Sequence, residues 1–583
     1  MVVTWDLRSL RFQKAYDRRL EDLVSQRPRW VLATLTLATF FVVTVGDFDD
    51  TDTRARLQVT HWLWSDQPQV DDFDAAHSIP KNPTDWTIAW SPGYCSLTGK
   101  DKQIYAQFSL GQSLLMLPAD IAAVSAIGNF EEYFDFEGTD HTLFKQEIVV
   151  NLLTFSVMNT LAVIFSFDLL LLLGFTQQQS IVACLLLVFG TPFIVYMQDS
   201  AETNQIYLLY VGALLFVLKA RQGKISSNCL IAGAFAGFNI LMKLPNVVFV
   251  PAAMSVFLFS QARGLASWQM PRRGALKRDD VRWLLWFLVP VGVCIFIDRW
   301  YQFYRFGDWL STYMTQCVES YAAAGGYPER FPFGYDRLAG FLGPFWSPDR
   351  SLFLYSPFLI FTVIFLTKNW TRVSTPQRAV VMASFGALVG LALIYGGTYH
   401  WNGGCGSWGP RHHLPPTEVL CLLGFAFTAR AFPSYRPLKK TLVALNLAAA
   451  LGCQAIALPY PPPLDNQESF YNDPLRAVPL LRARNIYYLL TDDILESAES
   501  FDDPSVKWAA ENNRKNAPYS FWWWIARANS KQWPPLAWAI VTAWLMLAMG
   551  VAVTAAQLCI AGFRSSGAKE PGIDAARAFT SNR

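Results

Sequence analysis

The sequence predicts an all-α polytopic membrane protein with about twelve transmembrane helices. Three observations carry this. Of 583 residues, 52% are hydrophobic and 16% charged, whereas an average soluble chain is about 25% charged. Mean hydropathy is +0.22. Apolar runs near bilayer length recur along the whole chain. Disordered, collagen-like and disulfide-scaffold classes are excluded by the same composition. A net charge of +3 is small for this length, which argues against a nucleic-acid partner.

The first run, Trp30–Val45, follows a basic stretch with Arg8, Arg11, Lys14, Arg18, Arg19, Arg27 and Arg29. No small-residue cleavage site follows it, so it reads as an uncleaved anchor with a cytoplasmic N-terminus. Further runs are Ile148–Phe175, Ile181–Gln198, Ile206–Leu218, Cys229–Met242, Val247–Ser260 and Leu284–Ile297. Leu352–Leu366, Ala379–Tyr395, Val419–Ala429, Leu442–Leu458 and Trp538–Ile560 complete the set. Phe108–Ile127 is also apolar but contains Gln112, Pro118 and Asp120. If it does not cross, the basic loops around Lys219 and Arg221, Arg272 and Arg273, Lys368 and Arg372, and Arg430 and Lys439 all face the cytoplasm. That is the positive-inside bias, so Phe108–Ile127 is read as a helix lying in the membrane interface.

The organisation that follows is a basic N-terminus over 1–29, a membrane core over 30–458 and an outer segment over 459–534. A last transmembrane helix over 535–560 and a cytoplasmic tail over 561–583 end the chain. Three long segments face outward, Gly46–Glu147, Tyr301–Ser351 and Pro459–Lys531, with a smaller loop Gly396–Pro416. All six histidines fall in outer loops. The bacterial inner membrane is the expected location, with both termini cytoplasmic and the active site facing outward.

Four patterns are candidates for chemistry. GDFDDTDTR, Gly46–Arg54, crowds Asp47, Asp49, Asp50 and Asp52 at a membrane boundary. Neighbouring carboxylates repel, which suits one of them to act as a general base on a hydroxyl. The same oxygens form a candidate site for a divalent cation, and a solvated acidic patch is the plain alternative. YHWNGGCGSWGPRHHLPP, Tyr399–Pro416, gathers glycines, Trp401 and Trp408, His400, and Arg411, whose fork matches phosphate oxygens. A tight re-entrant turn with interfacial aromatics is its alternative. YMQDSAETNQIY places Asp199 and Glu202 at the outer ends of two spans, as acceptor-binding or supporting residues. Arg350 in FWSPDRSLFLYSP and Lys243 before Pro245 are candidate lipid-phosphate ligands, against lipid anchoring and snorkelling. Asp168, inside a span, is a functional suspect by default. No GxxxxGK[ST], HExxH or GxSxG pattern is present, so ATP hydrolysis and those hydrolase classes have no support.

Taken together these pieces resemble the GT-C superfamily of polyprenyl-phosphate-sugar-dependent glycosyltransferases, of the bacterial protein O-mannosyltransferase and aminoarabinose-transferase type. The resemblance rests on order: a basic N-terminus, one span, an acidic motif, then SLGQSLLMLP (Ser109–Pro118), YRFGD (Tyr304–Asp308), SPDRSLFLYSP (Ser347–Pro357) and WNGGCGSWGPRHHLP (Trp401–Pro415). It implies a GT-C-like core with interface helices in a long first outer loop. It also implies a polyprenyl-phosphate-sugar donor, a glycan, lipid or protein acceptor, and hexosyl or pentosyl transfer with inversion. The resemblance makes Asp50, then Asp52, then Asp47, the candidate base or acceptor-orienting acid, with Arg54 as the arginine that follows it. Arg411, Arg350 and Lys243, with His400, Trp401 and Trp408, become the donor-binding set. A secondary transporter or lipid flippase is the competing reading, and an inactive scaffold of a glycan-assembly complex a third. Transporters gather ionisable residues near the midplane of two matching halves, whereas here they gather at one interface and no halves repeat.

Overall fold

The computed structural model describes residues 26–46, 48, 51–65, 96–127, 133–135, 142–198, 200–259, 278–312, 314–316, 318, 330–348, 350–403, 407–459, 479, 480, 482, 483, 486, 520–530 and 532–565. Helices α1 (Pro28–Val43), α2 (Thr51–Trp62), α3 (Gly111–Ile127) and α4 (Lys145–Leu172) open the chain. They continue as α5 (Gln177–Gly190), α6 (Phe193–Gln198), α7 (Thr203–Gln222), α8 (Ile225–Met242), α9 (Leu244–Phe259) and α10 (Arg278–Phe306). Next come α11 (Arg337–Trp346), α12 (Leu352–Tyr355), α13 (Phe358–Asn369), α14 (Thr375–Tyr395), α15 (Leu414–Ala431) and α16 (Pro437–Ala455). Helices α17 (Phe521–Asn529) and α18 (Pro534–Ser565) follow. The strands among the described residues form two short antiparallel ladders, β1 (Ser96–Thr98) with β2 (Ile104–Ala106), and β3 (Tyr133–Asp135) with β4 (Thr142–Phe144).

Among the described residues six helices are long and apolar enough to cross a membrane: α4, α7, α8, α10, α14 and α18. Of the other six predicted spans, α1 and α9 are shorter helices, Ile181–Gln198 and Leu352–Leu366 are interrupted, and α15 and α16, of 18 and 19 residues, are long enough but less apolar. Thr191–Pro192 separates α5 from α6 and Ser356–Pro357 separates α12 from α13, because proline removes a donor and constrains the residue before it. Helix α8 packs on α10 through glycines. A Cβ on Gly233 would lie 2.1 Å from the Phe287 carbonyl oxygen, and one on Gly237 3.0 Å from the Pro290 oxygen. Small residues let membrane helices approach this closely.

One ion pair settles which helix ends share a side. Arg29, at the start of α1, donates to Asp168 near the end of α4 at 2.8 Å, across 139 positions of sequence. At their other ends Asn151 of α4 donates to the Gly46 carbonyl just beyond α1 at 3.1 Å. Helices α1 and α4 therefore run antiparallel, and the chain between them returns to the side it left. The stretch that contains α3 therefore makes no net crossing. Asp168 is thus tied to the basic end rather than to any chemistry. Gln377 and Arg430 donate to the carbonyls of Leu173 and Gly174, placing the loops before α14 and after α15 at that same end.

At the opposite end α3 lies against α2 and the terminus of α8. A Cβ on Gly111 would lie 2.4 Å from the Met242 backbone nitrogen, so only glycine allows this approach. The buried Asp120 of α3 accepts from Trp64 at 2.7 Å and from Gln146, with His61 at 3.2 Å. Pro118 sits inside this helix. With native cysteines replaced, Lys102→Cys and Ser125→Cys are expected to react with an impermeant maleimide from the same membrane face, and Ser434→Cys from the other. Labelling of Lys102→Cys and Ser125→Cys from opposite faces would show that α3 crosses.

Candidate functional site

The acidic motif does not stay a loop. From Thr51 it becomes helix α2, with Asp52 in the first turn, where a carboxylate meets the positive end of the helix dipole. Helical spacing then divides its charges. Asp52, Arg56 and Thr60, four apart, lie on one face, and Arg54 lies on another. Arg54 Nε pairs with Glu147 at 3.0 Å, and Glu147 also accepts the Phe48 backbone N–H at 3.1 Å. Phe48 is fully buried edge-on against Phe155. The motif is therefore pinned to the start of α4 at Phe48 and again at Arg54.

The other face meets the membrane helices. Arg56, buried with its guanidinium 4.3 Å over the Phe108 ring, lies 3.3 Å from Glu202 Oε2. Lys243 donates to Glu202 Oε1. Glu202 stands at the N-terminus of α7 and Lys243 at the C-terminus of α8, each at the helix pole that favours its charge. Pro245 stops α8 from carrying Lys243 further. Ser200 is tied in by Thr53 and Gln112, both donating to its carbonyl. Burial opposes ionisation of Glu202, but Lys243, Arg56 and Arg411 outweigh it and hold the carboxyl well below the usual range. Burial also pulls Lys243 down, and Glu202 works against that.

The loop between α14 and α15 closes the site. Arg411 Nη2 lies 3.7 Å from Asp52 Oδ2. Gly403, at φ 98°, lets the chain fold over Arg411, since a Cβ there would lie 2.8 Å from the Arg411 side chain. Arg350, buried, donates to the carbonyl and hydroxyl of Ser407. Trp408 is enclosed: its indole N–H donates to Gln454 at 3.2 Å and its ring meets Tyr355 edge-on. Trp401 is buried against Gly343 of α11 and Tyr335. His412 stacks on Tyr395 at 4.2 Å. Burial, then Arg411 and Lys243, push His400 down to about 4. Burial, then the same two cations, push His412 well below its ordinary value. Both imidazoles are neutral hydrogen-bonding groups near neutral pH, and the cationic character rests on Lys and Arg.

Of the residues singled out from sequence, the fold gathers Asp52, Glu202, Lys243, His400 and Arg411 at one place. Arg54 faces Glu147 instead of this cluster. Arg350 and Trp408 brace the loop, and Trp401 packs beneath α11. Asp47, Asp50 and Asp199 lie outside the described residues, so the candidate cation site at Asp47–Asp52 is described only at Asp52. Among the described residues no group of three His, Cys, Asp or Glu is placed to hold a metal. Sequence reasoning missed Arg56 and Glu147 as members of this assembly, and noted His412 only as a neighbour of Arg411. The signal for Arg56 was its place four residues after Asp52, which has meaning only once the segment is helical.

Residues 141–276 match the family model of dolichyl-phosphate-mannose-protein mannosyltransferases, short of half the chain. The match bears out the GT-C resemblance read from the sequence. It runs from the start of α4 past the end of α9 and contains Glu202 and Lys243. The chain is similar to the crystal structure of apo ArnT from Cupriavidus metallidurans at 11% identity, covering 92% of this chain and 75% of that one, with a TM-score of 0.40. The structure of ArnT bound to undecaprenyl phosphate gives 12%, 92%, 76% and 0.37. The Archaeoglobus fulgidus oligosaccharyltransferase tethered to an acceptor peptide gives 13%, 85%, 59% and 0.42. No curated protein matches the chain.

A histidine whose folded pKa lies below its unfolded value binds a proton more readily when unfolded. The contribution of neutral His400 is thus complete above 6.5 and lost as pH falls toward about 4. His400→Gln is expected to lose less melting temperature over that interval than the parent protein. An equal or greater loss in the variant would contradict the assignment.

Proposed function

We propose that this chain, a part of which matches a dolichyl-phosphate-mannose-protein mannosyltransferase family, is an integral membrane glycosyltransferase of the GT-C type. It moves a hexosyl or pentosyl unit from a polyprenyl-phosphate donor to a hydroxyl of a glycan, lipid or protein on the outer face of the membrane. One observation carries the reading: an acid of the first outer loop, Asp52, is brought to Arg411 of a distant loop, beside the buried pair Glu202 and Lys243. Carboxylate and phosphate-binding cations then share one place at one end of the helices.

The chemistry fits that arrangement. The lipid tail lies among the helices and its phosphate reaches Lys243 and Arg411. An acceptor hydroxyl attacks the anomeric carbon while a carboxylate of the Asp47–Asp52 motif, Asp50 first, takes its proton. The bond from the anomeric carbon to the phosphate oxygen breaks, and its electron pair stays on the phosphate. Arg411 and Lys243 stabilise the charge that builds there. A single displacement inverts the anomeric centre. Neutral His400 and His412 supply hydrogen bonds without adding charge. Arg54 holds the acidic segment in place through Glu147, and a divalent cation at the same carboxylates belongs to the proposal as an optional partner of that segment.

Transfer of labelled sugar from a panel of polyprenyl-phosphate sugars to envelope acceptors, with protein in nanodiscs, tests the reading. Asp50→Asn is expected to lower kcat by about 10²–10⁴-fold with the melting temperature retained. Full activity in that variant would remove Asp50 as the base. Arg411→Ala is expected to raise the donor KM by roughly tenfold or more, and an unchanged KM would refute its role.

A further inference from the structure

Glu202 invites a different role from the acceptor-binding one that the sequence suggested. Its carboxylate is buried and both oxygens face cations: Oε1 takes the Lys243 ammonium and Oε2 lies 3.3 Å from Arg56. These cations come from separate parts of the chain, α2 and the end of α8. Both oxygens are thus engaged by cations of the protein itself, which suits a positioning role better than acceptor binding. Lys243, by contrast, is shared between Glu202 and the place where the lipid phosphate is proposed to lie.

Sharing a cation with a fixed carboxylate makes the site sensitive to the charge of its ligand. The donor is a phosphodiester with one negative charge. Transfer breaks the bond from the anomeric carbon to the phosphate oxygen, leaves the electron pair on that oxygen, and sends the acceptor's proton to the base. The lipid product is therefore a phosphate monoester carrying up to one more negative charge than the donor. A nearby carboxylate repels both, and repels the more highly charged species more. In a buried, weakly screened setting that difference is large compared with its value in water.

We propose that Glu202 is a positioning residue that fixes Lys243 and Arg56 and, as a built-in competitor anion, makes the site favour the singly charged diester donor over the lipid-phosphate product. The group hastens product departure and leaves the acceptor side untouched. This rests on the proposed lipid-phosphate donor, and deepens it by stating which charge state the site is built to release. Arg56 thereby enters the site as a cation that holds Glu202 from the far side.

Binding to protein in nanodiscs tests this without requiring turnover. The probes are a polyprenyl phosphate and its methyl diester with the same tail. The parent protein is expected to bind the methyl diester about tenfold tighter than the monoester. Glu202→Gln is expected to bind the monoester more tightly than the parent and to lose the preference, and Glu202→Asp to keep it. In turnover, Glu202→Gln lowers kcat through slow product release and leaves the acceptor KM unchanged. A parent protein that favours the monoester overturns the proposal even where the variant fails to fold. A Glu202→Gln protein with unchanged or weaker monoester affinity overturns it as well. Failure of the parent to bind either lipid overturns both this and the proposed donor, while binding without sugar transfer defeats the proposed function alone.

Discussion

A carboxylate buried at the end of a helix bundle must be given counter-charges or it will not ionise, and Glu202 is given two. Desolvating an ion costs several kcal/mol even after relaxation, so α7 can begin where it does only if Lys243 and Arg56 arrive with it. That requirement joins three segments far apart in the chain. The terminus of α8 must stop beside α7, helix α2 must fold back over the membrane helices, and α3 must lie close enough to hold the chain around Ser200. Gly111 makes the last of these possible, since any side chain there would collide with the backbone of Leu241 and Met242.

The same logic extends outward. Asp52 and Arg56 lie on one face of α2, so fixing Arg56 on Glu202 also directs Asp52 toward Arg411. Arg54, on another face, is taken up by Glu147, and Phe48 is buried beneath. The acidic motif is thereby held between a fixed point on α4 and the charge cluster. Across from it the loop carrying Arg411 is braced by Arg350 on Ser407 and by Trp408 on Gln454. These are rigid supports under groups that the proposed chemistry needs held still.

Much of this was legible in the sequence because it follows from composition and spacing. Apolar runs gave the membrane helices, and the positions of Lys and Arg separated the two ends. The interfacial assignment of Phe108–Ile127 rested on charge, and the Arg29–Asp168 pair adds that α1 and α4 run antiparallel. Asp168 itself read as a functional suspect because sequence shows a carboxylate in an apolar run and not the arginine beside it. Trp401, Trp408 and Arg350 read as ligand contacts for a similar reason. Gly, aromatic and cationic residues concentrated in a short loop also serve to brace that loop, and it is the bracing that the packing shows. Arg56 was passed over because the motif was placed at the opening of a long outer loop, and without a helix a residue four places on has no special relation to Asp52.

The cations at this end of the bundle are proposed to hold a lipid phosphate. A cryo-electron microscopy map of the chain in nanodiscs with a polyprenyl phosphate tests it most directly. The phosphate is expected within hydrogen-bonding distance of Lys243 Nζ and the Arg411 guanidinium, with the acidic segment of the first outer loop facing it. A phosphate held elsewhere, with Lys243 still closed on Glu202 and Arg411 still turned to Asp52, would contradict that role for the two cations.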